Sequence, residues 1–241
     1  MSSTIHTIGM LIPATNTAVE IDVNRVLPKN YQVHVGRLRV SSVDEAGWRE
    51  HDADIDYQAQ LLGTLKPAAM ILLQTAASFY GEEGYDAAVT KRIAALSGSP
   101  TYTTAFAIGR AMKAMGAKRV AMMSPYNADL VARGRRFWER HFGLEFLAVD
   151  SFNMTDPMAI TKLGPEPAAE AIGRLAKLGP DAIIMAGGAY HVMNSLDDWE
   201  RRFGVPIVAT NQAAIWAAVQ AVNGPERIEG YGRLLATMPK G

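Results

Sequence analysis

Short apolar segments rich in Ile, Val, Leu and Met alternate along the chain with amphipathic segments of helical length. The apolar segments predict strands at 7–12, 32–40, 68–73, 100–103, 119–123, 144–149, 182–185 and 206–208. The amphipathic segments predict helices at 17–26, 55–65, 85–96, 105–115, 127–141, 165–178, 196–203 and 211–222. Nearly continuous apolar strands suit a sheet that is covered on both faces, so the alternation predicts an α/β fold with mainly parallel sheets flanked by helices.

The order of these segments repeats once along the chain. Residues 10–16 resemble 122–127, residues 66–75 resemble 179–188, and residues 98–104 resemble 204–210, at offsets of 112, 113 and 106 residues. Three ordered matches support an internal duplication. We therefore predict two tightly packed lobes related by a pseudo-twofold axis, with 1–104 and 211–241 in lobe one and 105–210 in lobe two. The carboxyl ends of the strands would line a cleft between the lobes, which is where such folds bind ligands.

Charge and composition narrow the class of ligand. The 24 Lys and Arg residues balance 24 Asp and Glu residues without a basic run, which argues against nucleic-acid or membrane-surface partners and points to a small molecule. No apolar run reaches the roughly 18 residues of a membrane span, and no signal peptide pattern opens the chain, so a cytoplasmic location is expected. The chain contains no cysteine, which excludes thiol nucleophiles and thiolate metal sites. A homo-oligomeric state stays open.

Two polar segments follow predicted strands in the first half. Residues 13–17, which include Pro13 and Asn16, either cap the next helix or offer their backbone N–H groups and side chains to a carboxylate. Residues 74–81 include Gln74, Thr75 and Tyr80 and are rich in small and hydroxyl side chains. They form either an ordinary polar loop or a set of donors for an anion that develops during a reaction.

Two more segments occupy the equivalent places in the second half. Tyr126 either packs its ring or presents its hydroxyl to the cleft. Gly187 and Gly188 permit a sharp turn or a close approach of the backbone to a ligand. Tyr190 and His191 follow directly, and His191 is either a proton shuttle or a structural histidine. No nucleotide-binding glycine motif occurs, and the remaining histidines lack metal-ligand spacing, so neither a nucleotide cofactor nor a zinc site is expected.

The segments 12–20, 78–80, 124–126 and 204–216, taken in order, resemble the aspartate/glutamate racemase superfamily and, within it, the maleate cis-trans isomerase and arylmalonate decarboxylase branch. The resemblance spans nearly the whole chain. It implies a substrate carboxylate held between the lobes, an enediolate or related anionic intermediate, and no metal or organic cofactor. It also implies that Asn16 binds a carboxylate, that Thr75 and the neighbouring backbone line an oxyanion pocket, and that Tyr126 donates to the same anion. Asn153 and Asn211 are weaker assignments.

The chain departs from that family at the cysteines. The family places them at the ends of equivalent strands, and here those places fall at Gln74 and at Ala186 or Gly187. None of these side chains transfers a proton at neutral pH, so racemisation between two thiols and isomerisation through a cysteine adduct are both excluded. Proton transfer then needs another group, and the candidates beside the missing thiols are Tyr190, His191, Tyr80 and Glu82.

We therefore expect a cofactor-independent enzyme that decarboxylates or isomerises a small carboxylate or dicarboxylate through an oxyanion-stabilised intermediate. A hydrolase with an activated water and a non-catalytic carboxylate-binding protein are the alternatives. The expected catalytic residues are Tyr126, His191, Tyr190 and Thr75. The expected substrate-binding residues are Asn16, Pro13, Gln74, Ala76, Tyr80, Gly187, Gly188, Asn153 and Asn211.

Overall fold

The computed structural model describes residues 4–81, 83–222, 224 and 227–240, and it confirms the predicted alternation of strands and helices. The strands are β1 (His6–Pro13), β2 (Tyr31–Leu38), β3 (Ala69–Leu72), β4 (Thr101–Thr103), β5 (Arg119–Tyr126), β6 (Glu145–Met154), β7 (Ala182–Met185) and β8 (Ile207–Ala209). The helices are α1 (Val19–Val26), α2 (Glu45–Gly63), α3 (Thr75–Tyr80), α4 (Tyr85–Ser97), α5 (Thr104–Ala114), α6 (Ala128–Phe142), α7 (Pro157–Thr161), α8 (Glu166–Ala176), α9 (Leu196–Phe203), α10 (Thr210–Ala221) and α11 (Arg233–Thr237).

The strands form two four-stranded sheets with the same topology. The first sheet has the order β2-β1-β3-β4 and the second has the order β6-β5-β7-β8, and every pairing is parallel. Ile8 pairs with Ala69 in the first sheet, and Val120 pairs with Ala182 in the second, so that the registers also correspond. The predicted α/β fold of two duplicated, mainly parallel lobes is confirmed.

Buried apolar strands hold each sheet between its helices. All four residues of β3 and all four of β7 are buried, as expected for central strands covered on both faces. Helices α5 and α10, each of which follows the last strand of its sheet, pack against one another between the lobes. Helix α5 also contacts α6, and α10 also contacts α1 and β3. The lobe boundaries at 104/105 and 210/211 stay a prediction.

Four helical segments differ from the prediction, and one of them is the unpredicted helix α11. Helix α2 begins at Glu45 rather than at residue 55, because Asp44 caps it by accepting from the backbone N–H of Gly47 at 3.0 Å. Residues 75–80, read as a loop, form the short helix α3 directly after the strand end. Helix α7 was not predicted and begins with Pro157 after the capping residue Asp156. Within the described part of the chain, no helix combines the length and the apolar character that crossing a membrane requires.

Candidate active site

A cavity lies between the lobes at the carboxyl ends of the strands. It has an empty volume of about 590 Å³, part of which is open to solvent. Lobe one lines it with Pro13, Thr15, Asn16, Val40, Ser42, Val43, Asp44, Trp48, Leu73, Gln74, Thr75, Ala76, Ala77 and Tyr80. Lobe two lines it with Tyr126, Pro157, Ile160, Gly188 and Ala189. Because all the strands are parallel, their carboxyl ends bring polar loops from distant parts of the sequence to this one place.

Asn16 both bonds to the start of a helix and lines the cavity. Its Oδ1 atom accepts from the backbone N–H groups of Ala18 and Val19, at 2.9 and 3.0 Å, and so caps the start of α1. The residue is 2% exposed and lines the cavity beside Pro13. With Oδ1 committed to the cap, the Nδ2 group is the part of the side chain left for a ligand. Asn16 is therefore held rigidly, as a hydrogen-bond donor should be when it positions an anion.

The start of α3 supplies several neutral donors. The N–H groups of Thr75 and Ala76 lie in the first turn and donate to no other backbone oxygen among the described residues. The side-chain amide of Gln74 also lines the cavity, and it has no hydrogen-bond partner within the described part of the chain. The Thr75 hydroxyl is buried and lies 3.2 Å from that of Thr104 and 3.4 Å from that of Thr210. This edge of the cavity therefore offers backbone, amide and hydroxyl donors without a formal charge.

On the facing side, the loop after β7 contributes backbone groups. The Gly187 N–H donates to the Thr210 hydroxyl at 3.1 Å, and the Gly188 carbonyl accepts from Asn211 Nδ2 at 3.0 Å. A Cβ atom at Gly188 would lie 2.9 Å from both Asn211 Oδ1 and Leu73 Cδ2. Gly187 has φ of 136° and would meet Pro125 at 2.9 Å. A side chain at either position would displace these neighbours, so this loop contributes backbone, and of the two predicted glycines Gly188 lines the cavity whereas Gly187 does not.

Two tyrosines line the cavity, one from each lobe. Tyr126 ends β5 and is 7% exposed, and its hydroxyl has no hydrogen-bond partner among the described residues. Burial raises its pKa, and the nearby Tyr80 adds to the increase. Tyr80 ends α3 and donates from its hydroxyl to the Val43 carbonyl at 3.2 Å. Burial raises the pKa of Tyr80 as well, so both phenols keep their protons at neutral pH.

The cavity is covered by two segments that the sequence prediction did not include. Val43, Asp44 and Trp48 come from the start of α2, and Pro157 and Ile160 come from α7. The Val43 N–H donates to the Thr155 carbonyl at 3.1 Å and so connects the two covers across the lobes. Their helix caps were visible in the sequence, as Asp44 three residues before Gly47 and as the pair Asp156-Pro157. These signals could have located the covers.

The charge of the lining is unusual for an anion site. Among the described residues that line the cavity, Asp44 is the single charged one, and it lies exposed at the rim. Hydrogen bonds from the Ser42 hydroxyl and the Gly47 N–H lower the pKa of Asp44 and keep it ionised. An anion in this cavity would therefore be held by neutral donors rather than by an ion pair.

Several predicted site residues lie outside the cavity. The Tyr190 hydroxyl donates to the Gly164 carbonyl at 2.6 Å, and burial raises its pKa to about 12. His191 lies 3.0 Å from the Thr17 hydroxyl and does not line the cavity. Asn153 has φ of 54°, and its Oδ1 accepts from the Ala128 N–H at the protein surface. Glu82 lies outside the described residues.

A much smaller cavity adjoins the first one behind the two glycines, and it is lined in part by Gly187, Tyr190 and Asn211. Asn211 donates to the Asp22 carboxylate at 2.7 Å as well as to the Gly188 carbonyl. Its position is that of a brace behind the loop rather than of a ligand contact. Among the described residues, no group of three or more His, Asp or Glu side chains is arranged to hold a metal ion.

The duplicated parallel sheets and the cavity between their strand ends define a class of two-lobed α/β proteins. Within that class the chain belongs to the arylmalonate decarboxylase family, whose profile matches residues 8–235. The resemblance to this branch, without its cysteines, is thereby confirmed.

Individual relatives agree with the family match. An arylmalonate decarboxylase from Bordetella bronchiseptica is 28% identical over 231 residues and covers 95% of each chain. The structure of a double mutant of arylmalonate decarboxylase in the liganded form has a TM-score of 0.88 at 26% identity and covers 95% of this chain and 98% of its own. A maleate isomerase from Pseudomonas putida S16 with maleate has a TM-score of 0.91 at 24% identity, covers 99% of this chain and 100% of its own, and shares the fold.

Proposed function

We propose that this protein decarboxylates a small malonate-type acid without a thiol. One observation carries the proposal: the cavity is lined by neutral donors from both lobes, namely the start of α3, the loop after β7 and Tyr126, in a chain that has no cysteine. Such donors stabilise negative charge that develops on a carboxylate during a reaction, and each is worth roughly 10²- to 10³-fold in rate when it is well placed. The relatives' decarboxylase and isomerase activities support an enzyme.

The proposed reaction needs few groups beyond these neutral donors. The bond between the central carbon and one carboxylate breaks, CO₂ leaves, and the bonding electrons pass into the remaining carboxylate to give an enediolate. The N–H groups of Thr75, Ala76, Gly188 and Ala189 and the Tyr126 hydroxyl stabilise the two oxygens of that anion. A proton then adds to the carbon and restores the carboxylate. The apolar covers around Val43 and Ile160 would favour departure of the carboxylate as uncharged CO₂.

Tyr80 is the proposed proton donor. Among Tyr190, His191 and Tyr80, it is the one that lines the cavity, and its raised pKa keeps the phenol protonated. To give its proton to the carbon, the Tyr80 hydroxyl would leave the Val43 carbonyl, to which it donates at 3.2 Å. An enediolate carbon is a far stronger base than a phenolate, so the proton moves downhill, and solvent through the open side of the cavity restores it. In their predicted roles, Tyr190 and His191 would have to reach the cavity, which neither side chain lines.

Isomerisation is the weaker alternative. The solved maleate isomerase from Nocardia farcinica carries a covalently bound succinylcysteine intermediate, and this chain has no cysteine to form one. A hydrolase and a non-catalytic carboxylate-binding protein remain alternatives, and a cytoplasmic location remains a prediction.

Incubation with phenylmalonate in D₂O, followed by ¹H NMR, tests the proposal. We expect release of CO₂ and phenylacetate that carries one deuterium at the α-carbon, while maleate stays unchanged. Incorporation of ¹⁸O from labelled water into the product of an ester or amide substrate would favour the hydrolase. Stabilisation of the fold by phenylmalonate without any chemical change would favour the binding protein and contradict the decarboxylase.

Two conservative variants test the assigned roles. Tyr126→Phe removes one donor to the enediolate and should lower kcat about 10²-fold. Tyr80→Phe removes the proton donor and should lower kcat about 10²- to 10⁴-fold. Tyr190→Phe is the control, because its hydroxyl bonds to Gly164 outside the cavity, and it should retain kcat within about threefold. Full activity of both Tyr80→Phe and Tyr126→Phe would overturn the assignment.

A further inference from the structure

Three threonine hydroxyls meet where the lobes join, behind the edge of the cavity. Thr75 begins α3, Thr104 begins α5 and Thr210 begins α10, and all three are at most 2% exposed. The Thr75 oxygen lies 3.2 Å from that of Thr104 and 3.4 Å from that of Thr210. Only Thr75 of the three lines the cavity, so the other two reach a ligand only through it.

The pseudo-twofold axis relates Thr104 to Thr210. Each is the residue after the last strand of its own sheet, and each hydroxyl lies 3.5 Å from a strand carbonyl, of Leu72 in lobe one and of Met185 in lobe two. These carbonyl contacts are at the long limit of a hydrogen bond. The Thr75 oxygen is the nearer acceptor for both hydroxyls.

A count of protons shows what this arrangement can do. A threonine hydroxyl donates one hydrogen bond, and its oxygen accepts up to two. The Thr210 oxygen already accepts the Gly187 N–H at 3.1 Å, and its own proton has two acceptors within reach, Thr75 at 3.4 Å and the Met185 carbonyl at 3.5 Å. When Thr210 and Thr104 both donate to Thr75, both acceptor sites of that oxygen are filled. The Thr75 proton then has no partner inside the cluster and is left for the cavity.

We propose that Thr104 and Thr210 are positioning residues that orient the Thr75 hydroxyl as a donor to the substrate anion, and that Thr210 couples this hydroxyl to the loop at Gly187. The role as a donor to substrate depends on the proposed function. The orientation of the hydroxyl protons is a property of the protein alone. The Thr210 side chain therefore positions both a hydroxyl donor of lobe one and the backbone donors that follow Gly187 in lobe two.

The orientation is tested without any ligand. In protein with ¹³C-labelled threonine in equal parts H₂O and D₂O, slow hydroxyl exchange gives two resolved Cβ signals, and fast exchange gives one averaged signal. We expect two signals for Thr104 and Thr210, whose protons are engaged inside the cluster, and one for Thr75. In Thr210→Val, which keeps the side-chain shape, the Gly187 amide should exchange at least tenfold faster with solvent. A resolved pair for Thr75, or an unchanged Gly187 amide, would overturn the proposal.

The role toward an anion is tested with phenylacetate, which has no second carboxylate to lose. We expect Thr210→Val and Thr104→Val each to weaken its binding by about tenfold, the lower limit for a lost hydrogen bond to a charged group. Thr210→Ser and Thr104→Ser restore the hydroxyl and should bind like the wild-type protein. With phenylmalonate, the Val variants should lower kcat more than they raise KM. Equal loss in Val and Ser variants would indicate a merely structural role and overturn the proposal.

Failure of the proposed function would look different. If the wild-type protein neither bound phenylacetate nor decarboxylated phenylmalonate, the decarboxylase would be wrong, and the hydroxyl signals of Thr75, Thr104 and Thr210 would decide the positioning proposal by themselves.

Discussion

After β3 the chain turns at once into α3 and presents the side chains of Gln74 and Thr75, whereas after β7 it passes through Gly187 and Gly188 and presents only its backbone. The two loops occupy equivalent places, because β3 and β7 pair in the same way with β1 and β5. The two lobes therefore share topology but divide the chemistry of the site. Lobe one supplies amide and hydroxyl groups, and the corresponding loop of lobe two supplies N–H groups.

This difference is built into the packing behind each loop. Asn211 and Leu73 occupy the space that a side chain at Gly188 would need, and Pro125 occupies the space beside Gly187. A thiol placed at Gly187 or Gly188 would therefore meet these neighbours. The duplicated fold thus keeps two strand ends at one cavity while allowing each to specialise.

Gly187→Ala compared with Gln74→Ala is the strongest test of this asymmetry. The new Cβ at Gly187 would lie 2.9 Å from Pro125, on a backbone with φ of 136° that L-residues rarely adopt. Strain and crowding together should reduce the free energy of unfolding by about 3 kcal/mol, which lowers Tm by roughly 6–12 °C in a protein of this size. Gln74 has φ of −139°, so its replacement should cost less than about 1 kcal/mol. Equal Tm values for the two variants in thermal unfolding would contradict the comparison.

The main features of the fold and part of the site could be predicted from the sequence for a simple reason. Buried parallel strands appear as apolar runs, and parallel topology brings their carboxyl ends together, so that segments as distant as Asn16, Thr75 and Tyr126 could be placed at one cleft. The direction of a side chain is not encoded in this way. Tyr190 follows the end of β7 within a few residues, as Thr75 follows the end of β3, but the Tyr190 hydroxyl bonds to Gly164.

The covers escaped prediction because their helices lack a continuous apolar period. In α2 the buried positions are Gly47, His51, Ile55, Ala59 and Leu62, which is a helical spacing with a histidine and a glycine where apolar residues are expected. In α7 a single residue, Ile160, is buried. Such segments are defined by their caps and tertiary contacts, and hydrophobic periodicity does not detect them.

His51 makes the cover of lobe one sensitive to acid in a way that the cover of lobe two is not. Its ring is fully buried, and neither ring nitrogen has a hydrogen-bond partner among the described residues. Burial lowers its pKa to about 4, against the opposing charges of Asp52 and Asp54. In the unfolded chain the histidine takes up a proton near pH 6.5, whereas in the folded chain it stays neutral down to about pH 4. The free energy of unfolding therefore decreases as the pH falls from 6.5 towards 4.

The expected size of this effect is about 2 kcal/mol between pH 7.5 and pH 5. Urea unfolding of the wild-type protein and of His51→Leu at both pH values measures it. The variant has no group to titrate at this position, so its loss of stability on acidification should be smaller by that amount. Parallel losses in the two proteins would show that the His51 site does not exclude the proton.

The smallest expected difference concerns two buried carboxylates that support the last strand of each sheet. Asp86 on α4 accepts from the hydroxyls of Ser78 and of Thr103, the final residue of β4, both at its Oδ1 atom. Glu200 on α9 accepts from the N–H of Ile207, the first residue of β8, at Oε1 and from the N–H of Arg233 at Oε2. Burial raises the pKa of both carboxyl groups, so each contributes most to stability when protonated, and that contribution is lost as the pH rises through the folded pKa.

The distribution of these hydrogen bonds decides what an amide would do. In Asp86→Asn the amide oxygen can accept from both hydroxyls, so the change should alter stability by less than about 0.5 kcal/mol at pH 7 and should reduce the loss of stability between pH 4 and pH 7. In Glu200→Gln the new NH₂ group would face either the Ile207 N–H or the Arg233 N–H and leave one buried donor unpaired, at a cost of about 2 kcal/mol. Urea unfolding at pH 7 compares the two variants directly. Helices α4 and α9 each precede the last strand of their sheet. A similar loss of stability in both variants would therefore mean that burial alone, rather than the number of accepting oxygens, determines what each carboxylate contributes.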